Sequence, residues 1–250
     1  MAKLLKPKDR LRLILAGFGD LFEEVYDAAG LVSYSYSQIY GFYPQKYKKS
    51  NFQALVWRGL KTEEISKTTI NGLPCLRLTS KGREKTIRDF PFLLLQKKKW
   101  DGFFTQASYD IEETNKRTRD LWREKLKELN FGRLQKSVYI SPFDLSDDLW
   151  EFIEERRLTG KVYVSRIKFI GIDPKEIAFK AWPLEDLSKR YQKLLERWQE
   201  KKVDPQEFLA QYFEILFDDP HLPQELLPRN WPAFTLQKLA KKIQKKIPTF

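Results

Sequence analysis

Between residues 103 and 170 the periodicity of the sequence changes repeatedly, and that alternation constrains the fold more than any other feature. A strand pattern at 103–111 gives way to a helical pattern at 114–129, then a strand at 134–141, a helix at 146–158 and a strand at 161–170. A further strand is expected at 176–182. Strands and helices alternating over so short a span predict a split β-α-β, ferredoxin-like sheet. In the 114–129 helix, Leu121, Trp122, Leu126 and Leu129 supply the core face with Lys125 at its edge, and Arg117, Arg119 and Arg123 take more exposed positions.

The residues before this block have a different character. Asp9 can cap a first helix and Gly30 can end it, with Leu11, Ile14, Phe18, Leu21, Phe22 and Val25 recurring every three or four residues. Arg10 and Arg12 followed by Asp20, Glu23 and Glu24 make this an amphipathic helix rather than a leader peptide. A short second helix is expected at 33–40, broken by Gly41 and Pro44, and a third at 45–60. On the third, Phe52, Leu55, Val56 and Leu60 share one face, while Tyr47, Ser50, Ala54 and Trp57 point the other way. Asn71-Gly72 between two β-like runs is a strong hairpin signal, because both turn positions need positive φ. Three helices followed by a hairpin is the order of a winged helix-turn-helix, whose third helix enters the major groove.

Charge agrees with that reading. The chain carries 46 Lys and Arg against 34 Asp and Glu, a formal +12, and a basic surface of that size favours polyanions. Lys46, Lys48, Lys49, Arg58 and Lys61 fall in a stretch without a single acid. Lys46, Tyr47, Ser50 and Asn51 are therefore the expected groove contacts, Lys49 is a further expected DNA-binding residue, and Arg58 and the wing residue Lys67 are expected beside the phosphates.

Several functions are excluded or disfavoured. Cys75 and His221 are the only residues of their kind, too few for a Cys/His zinc site and unable to form a disulfide within one chain. Cys75 is expected to be a packed thiol. No apolar run approaches the roughly 18 residues needed to span a bilayer, and Phe90-Pro91-Phe92-Leu93-Leu94-Leu95 is far too short. These features point to a cytoplasmic protein without a membrane partner. Residues 81–99 read as a basic connector, and 184–250 as helical, ending in Lys238, Lys241, Lys242, Lys245 and Lys246. The expected architecture is α+β: a winged helix-turn-helix at 1–90, a ferredoxin-like dimerisation domain at 91–183 and a helical domain at 184–250.

Two stretches carry a more specific signal. One comprises Trp100-Asp101-Gly102, Tyr109-Asp110-Ile111, Arg119 and the run from Phe131-Gly132-Arg133 to Ser141-Pro142; the other is Leu222 to Trp231. Together they resemble the PaaX-like family, the repressors of phenylacetic acid degradation. The resemblance implies a repressor acting as a homodimer on double-stranded operator DNA, released by an acyl-coenzyme A effector. The central part is also similar to the ferredoxin-like CRISPR-associated integration subunit, where a carboxylate at the position of Asp110 is associated with metal-dependent nuclease activity.

The leading expectation is thus a non-enzymatic regulator with no cofactor. The alternative is a metal-dependent nuclease or DNA-integration accessory protein, with Asp110 holding Mg²⁺. Asp110 also has a plainer reading, as a polar strand end that caps the next helix or pairs with an arginine. Trp231, between prolines, reads as a packing plug.

Overall fold

The computed structural model describes residues 11–13, 49–70, 73–89 and 99–246. The helices expected within 9–40 fall outside this set except for residues 11–13, which are helical and buried. The described residues divide into two compact units. One holds 99–186 and 220–230; the other holds those before 90 together with 187–219 and 231–246.

The first unit is built on a four-stranded sheet of β3 (Phe104–Tyr109), β4 (Gly132–Gln135), β5 (Val138–Ser141) and β6 (Val162–Ile167). Its order is β4-β5-β3-β6 with every pair antiparallel. Helices α3 (Lys116–Glu128) and α4 (Ser146–Glu155) connect the strands, giving the split β-α-β arrangement that the alternation predicts. The element predicted as one strand at 134–141 is two strands of a hairpin. Lys136-Ser137 turns the chain, and a register shift between Arg133 and Gln135 interrupts the alternation that made it look continuous.

The expected strand at 176–182 is a helix, α5 (Pro174–Ala181). Asp173 accepts a hydrogen bond from the Lys175 amide, and Pro174 stands in the first turn, its fixed φ already helical. Ile177, Ala178 and Ala181 then bury one helical face. Trp182, just beyond, donates from Nε1 to the Asn130 carbonyl at 3.1 Å and lies over Gly132. A Cβ at Gly132 would sit 2.4 Å from the indole ring, so only glycine fits.

The start of β3 is held by the Trp100-Asp101-Gly102 signature. Trp100 Nε1 donates to the Phe103 carbonyl at 2.9 Å and packs edge-on against Phe104. Asp101 accepts from the Phe103 amide and pairs with Arg166 of β6. Arg166 also donates to the buried Thr105 hydroxyl at 2.9 Å, which in turn donates to the Phe143 carbonyl at 2.8 Å. Arg119 and Arg123, expected on more exposed positions, are half-buried, and Arg123 Nε donates to the Tyr109 hydroxyl at 2.7 Å.

In the second unit, α6 (Leu184–Gln199) from residue 187 onward, α7 (Pro205–Leu216) and α8 (Pro232–Lys246) follow in order. Asp204 caps α7 through the Glu207 amide. Tyr191, Phe208 and Phe213 are fully buried, and the Tyr191 hydroxyl donates to Asp219 at 2.7 Å. Trp231 is buried edge-on against Tyr191, which is the packing role read from its neighbours. The remaining elements of this unit form the helix-hairpin-helix below.

Candidate nucleic-acid interface

The helix α1 (Lys49–Lys61) contains no acidic residue, and its described side chains sort by face. Leu55 and Val56 are buried, whereas Ala54, Trp57, Arg58 and Lys61 face solvent. The helical wheel predicts this division, since i+3 and i+4 positions share a face. Trp57 is 61% exposed, and Lys61 Nζ lies 5.2 Å from its ring centroid. Arg58 Nε donates back to the Ala54 carbonyl at 3.3 Å.

A tight turn delivers the chain from α1 to the hairpin of β1 (Ile65–Ile70) and β2 (Leu73–Leu78). The Glu64 amide donates to the Gly59 carbonyl and the Glu63 amide to the Leu60 carbonyl, with Glu63 at φ 58°. This is the double-bonded helix end that usually places glycine in the left-handed position. Gly59 lets the hairpin approach α1: a Cβ there would stand 2.9 Å from Ile65 Cδ1. Ile65 pairs with Leu78 and Lys67 with Leu76, and of these four only Lys67 is exposed.

Thr79 closes the module. Its hydroxyl donates to the Glu63 carbonyl at 2.5 Å and accepts from the Gly82 amide at 3.0 Å, capping α2 (Ser80–Asp89). The sequence offers a helix start at 78–82, and a helix begins there, taking up the first half of the 81–99 segment read as a connector. Gly82 presses on the Glu64 carbonyl so closely that a Cβ would come within 1.9 Å of it. The two acids after α1 are met by α2: Lys85 pairs with Glu64, and Lys81 lies 3.6 Å from Glu63. Arg12 pairs with Asp89 at 2.8 Å.

Of the residues expected to touch nucleic acid, Arg58 and Lys67 are exposed on α1 and β1. Lys49, Ser50 and Asn51 form the first turn of α1, with side chains outside the described residues, and Lys46 and Tyr47 lie outside them altogether. Cys75 sits opposite Thr68 in the hairpin register, its side chain likewise outside the described set. Sequence reasoning placed Trp57 on the outer face but did not select it as a contact; its extreme exposure is what singles it out. Lys238 and Lys242 of α8 are exposed as well.

Asp110 lies exposed at the end of β3, where its amide donates to the Lys161 carbonyl at 2.9 Å. It neither caps α3, whose N-cap position is Asn115, nor pairs with an arginine among the described residues. Glu112 accepts from the Thr114 hydroxyl instead. Among the described residues no three His, Cys, Asp or Glu side chains are grouped to hold a metal ion, and no helix is long and apolar enough to cross a membrane.

Comparison with known proteins adds two matches to this picture. The model of the PaaX protein central Cas2-like domain matches residues 97–178, and that of the PaaX-like protein C-terminal domain matches residues 182–249. No curated protein matches the chain. Among solved structures, uncharacterized protein Rv0674 from Mycobacterium tuberculosis is similar, with a TM-score of 0.53 and 19% identity over 93% of this chain and 91% of that one. At that identity the likeness concerns the fold alone.

Proposed function

From residue 97 to residue 249 the chain belongs to the PaaX-like family, and we propose on that premise that it is a transcriptional repressor whose residues 1–90 form a winged helix-turn-helix. The observation that carries the proposal is the acid-free, outward face of α1, followed at once by a hairpin bearing the exposed Lys67. A helix with cations on its solvent face and a hairpin beside it suits a duplex: the helix enters the major groove while the hairpin follows the backbone. Lys46, Tyr47, Lys49, Ser50 and Asn51 then sit at the groove end, with Arg58 and Lys67 at the phosphates.

Two copies would present two such helices to the halves of a palindrome, spaced by about ten base pairs or a multiple. The sheet supports pairing of this kind, since β6 is an edge strand with Tyr163 and Ile170 exposed close by. Ile170→Asp should shift the mass measured by light scattering from dimer to monomer and weaken operator binding. An acyl-coenzyme A effector would raise the thermal midpoint and release the DNA.

Genome-wide footprinting tests the proposal directly. Discrete palindromic sites beside promoters are expected, and replacing Ser50 and Asn51 together should change the preferred sequence. Indifference to every promoter fragment at low salt would end it.

One observation favours a second reading. The Asp110 carboxylate is exposed and makes no hydrogen bond or ion pair among the described residues. A metal-dependent nuclease or integration accessory protein would use it to hold Mg²⁺ with a partner's copy. Mg²⁺-dependent cleavage abolished by Asp110→Ala would establish that reading; intact DNA bound tightly in Mg²⁺ or Mn²⁺ would dismiss it.

A further inference from the structure

We infer that Trp57 and Lys61 form a two-part contact for the sugar-phosphate backbone of duplex DNA, the indole packing on a deoxyribose and the Lys61 ammonium taking the adjoining phosphate. The inference rests on the proposal that the chain binds DNA, and it deepens that proposal by naming a contact that sequence reasoning passed over.

Four observations carry it. Trp57 is 61% exposed although Leu55 and Val56, its immediate neighbours, are buried, so the indole is turned outward by the helix rather than left over from the core. Lys61 stands one turn further on with its Nζ 5.2 Å from the ring centroid, so a cation and an apolar plate are held side by side. That combination matches the alternation of sugar and phosphate along a strand. The field around the pair is not cancelled: α1 has no acid, and the acids that follow it face Lys81 and Lys85 of α2. Finally, both residues lie in the second half of α1. A groove-reading helix meets base edges near its N-terminus, which leaves its later turns beside the backbone.

The cation-π contact alone does not account for the arrangement. An exposed pair of this kind contributes little to a fold, whereas covering the indole against a sugar removes apolar surface from water.

The full-length chain is titrated into a fluorescein-labelled duplex of mixed random sequence over a range of KCl concentrations, with the matching single strand as competitor. Trp57→Ala should weaken duplex binding on the order of tenfold and leave the salt dependence unchanged, because no charge is lost. Lys61→Ala should lower the slope of log affinity against log salt by about one. Trp57→Phe should retain most of the affinity, since a ring still covers the sugar. All three variants should unfold at the wild-type temperature.

Wild-type affinity in Trp57→Ala, beside a wild-type protein that binds duplex in a salt-dependent way, would overturn the contact and leave the DNA-binding proposal standing. Preferential competition by the single strand would also overturn it, in favour of base stacking. A wild-type chain that ignores duplex at low salt would defeat the underlying proposal instead.

Discussion

The segment from Lys49 to Asp89 holds nine basic and four acidic residues, a net +5, while the much longer segment from Lys99 to Asp186 holds sixteen and seventeen, a net −1. The two regions also use their charges differently. In the sheet unit, Arg166 is shared among Asp101, Thr105 and Asp144, and Arg123 is fastened to Tyr109. In the module that begins with α1, Glu63, Glu64 and Asp89 are paired with Lys81, Lys85 and Arg12, while Trp57, Arg58, Lys61 and Lys67 face solvent. A polyanion responds to the local field, which depends on how far the nearest opposite charge lies. The chain's +12 is thus poorly described by its total: one region spends arginines on its own architecture, and the other displays cations.

The largest expected effect comes from breaking the sheet unit alone. Phe104 is buried against Trp100 and Phe169. Phe104→Ala should cost about 3–5 kcal/mol of stability in urea unfolding, from lost burial plus the cavity left behind. Below the unfolding transition, duplex affinity should match wild type. A parallel loss of affinity would mean that packing inside the sheet shapes the DNA contact, and the two regions would not be independent.

The arginines sharpen the same contrast at smaller magnitude. Arg166→Met removes the hydrogen bond to Thr105 and the pairing with Asp101, and should cost about 1–3 kcal/mol in urea unfolding. Arg58→Ala removes only a bond to its own helix. Its stability should stay within about 0.5 kcal/mol of wild type, while its salt slope in duplex binding drops by about one. The pH dependence belongs to the sheet unit too. The Ser146 hydroxyl holds the Asp144 carboxyl below the usual carboxylate range, outweighing the opposing effect of burial, and the Ser146 amide and then Arg166 add lesser lowering effects. A carboxyl depressed in the folded state stabilises the fold above its unfolded pKa, and that contribution is lost as pH falls through the lower folded value. Urea midpoints should therefore decline below about pH 4. Ser146→Ala should flatten that decline more than Arg166→Met does, since the hydroxyl bond is the leading cause.

The two regions also differed in how far their sequences could be read. The split β-α-β class of the sheet unit was legible because most of its elements switch period cleanly, although the β4–β5 hairpin read as one strand across its register shift. The misreadings fall where a short apolar run fits either period. Ile177-Ala178-Phe179 looks like a buried strand, and only Asp173-Pro174 ahead of it marks a helix start. In the candidate interface, the outward direction of Arg58 and Trp57 followed from the wheel, because Leu55 and Val56 fix the inward side. The degree of exposure at Trp57 did not follow, since it depends on what the neighbouring elements leave uncovered. Helix ends were hardest. Four helices close with the same pair of hydrogen bonds, and the left-handed positions are Glu63, Asn130, Arg157 and Lys201. None is the glycine that a reader searches for.

Those closures permit the finest test of the comparison. A side chain other than Gly or Asn in the left-handed region costs about 1–2 kcal/mol, partly offset because glycine leaves the unfolded chain more freedom. Glu63→Gly in the module and Arg157→Gly in the sheet unit should each therefore gain up to about 1 kcal/mol, read as a small rise in thermal midpoint. Backbone strain is local, so the two gains should be similar. Their effects on DNA should not be. Glu63→Gly also removes an acid at the end of α1 and frees Lys81, so duplex affinity should increase slightly at low salt and the difference should vanish at high salt. Arg157→Gly should leave duplex affinity where it was, even though it removes a positive charge from the chain. If the two variants changed affinity by the same amount and in the direction of their net charge, total charge would govern binding after all, and the local arrangement around α1 would have no special part in it.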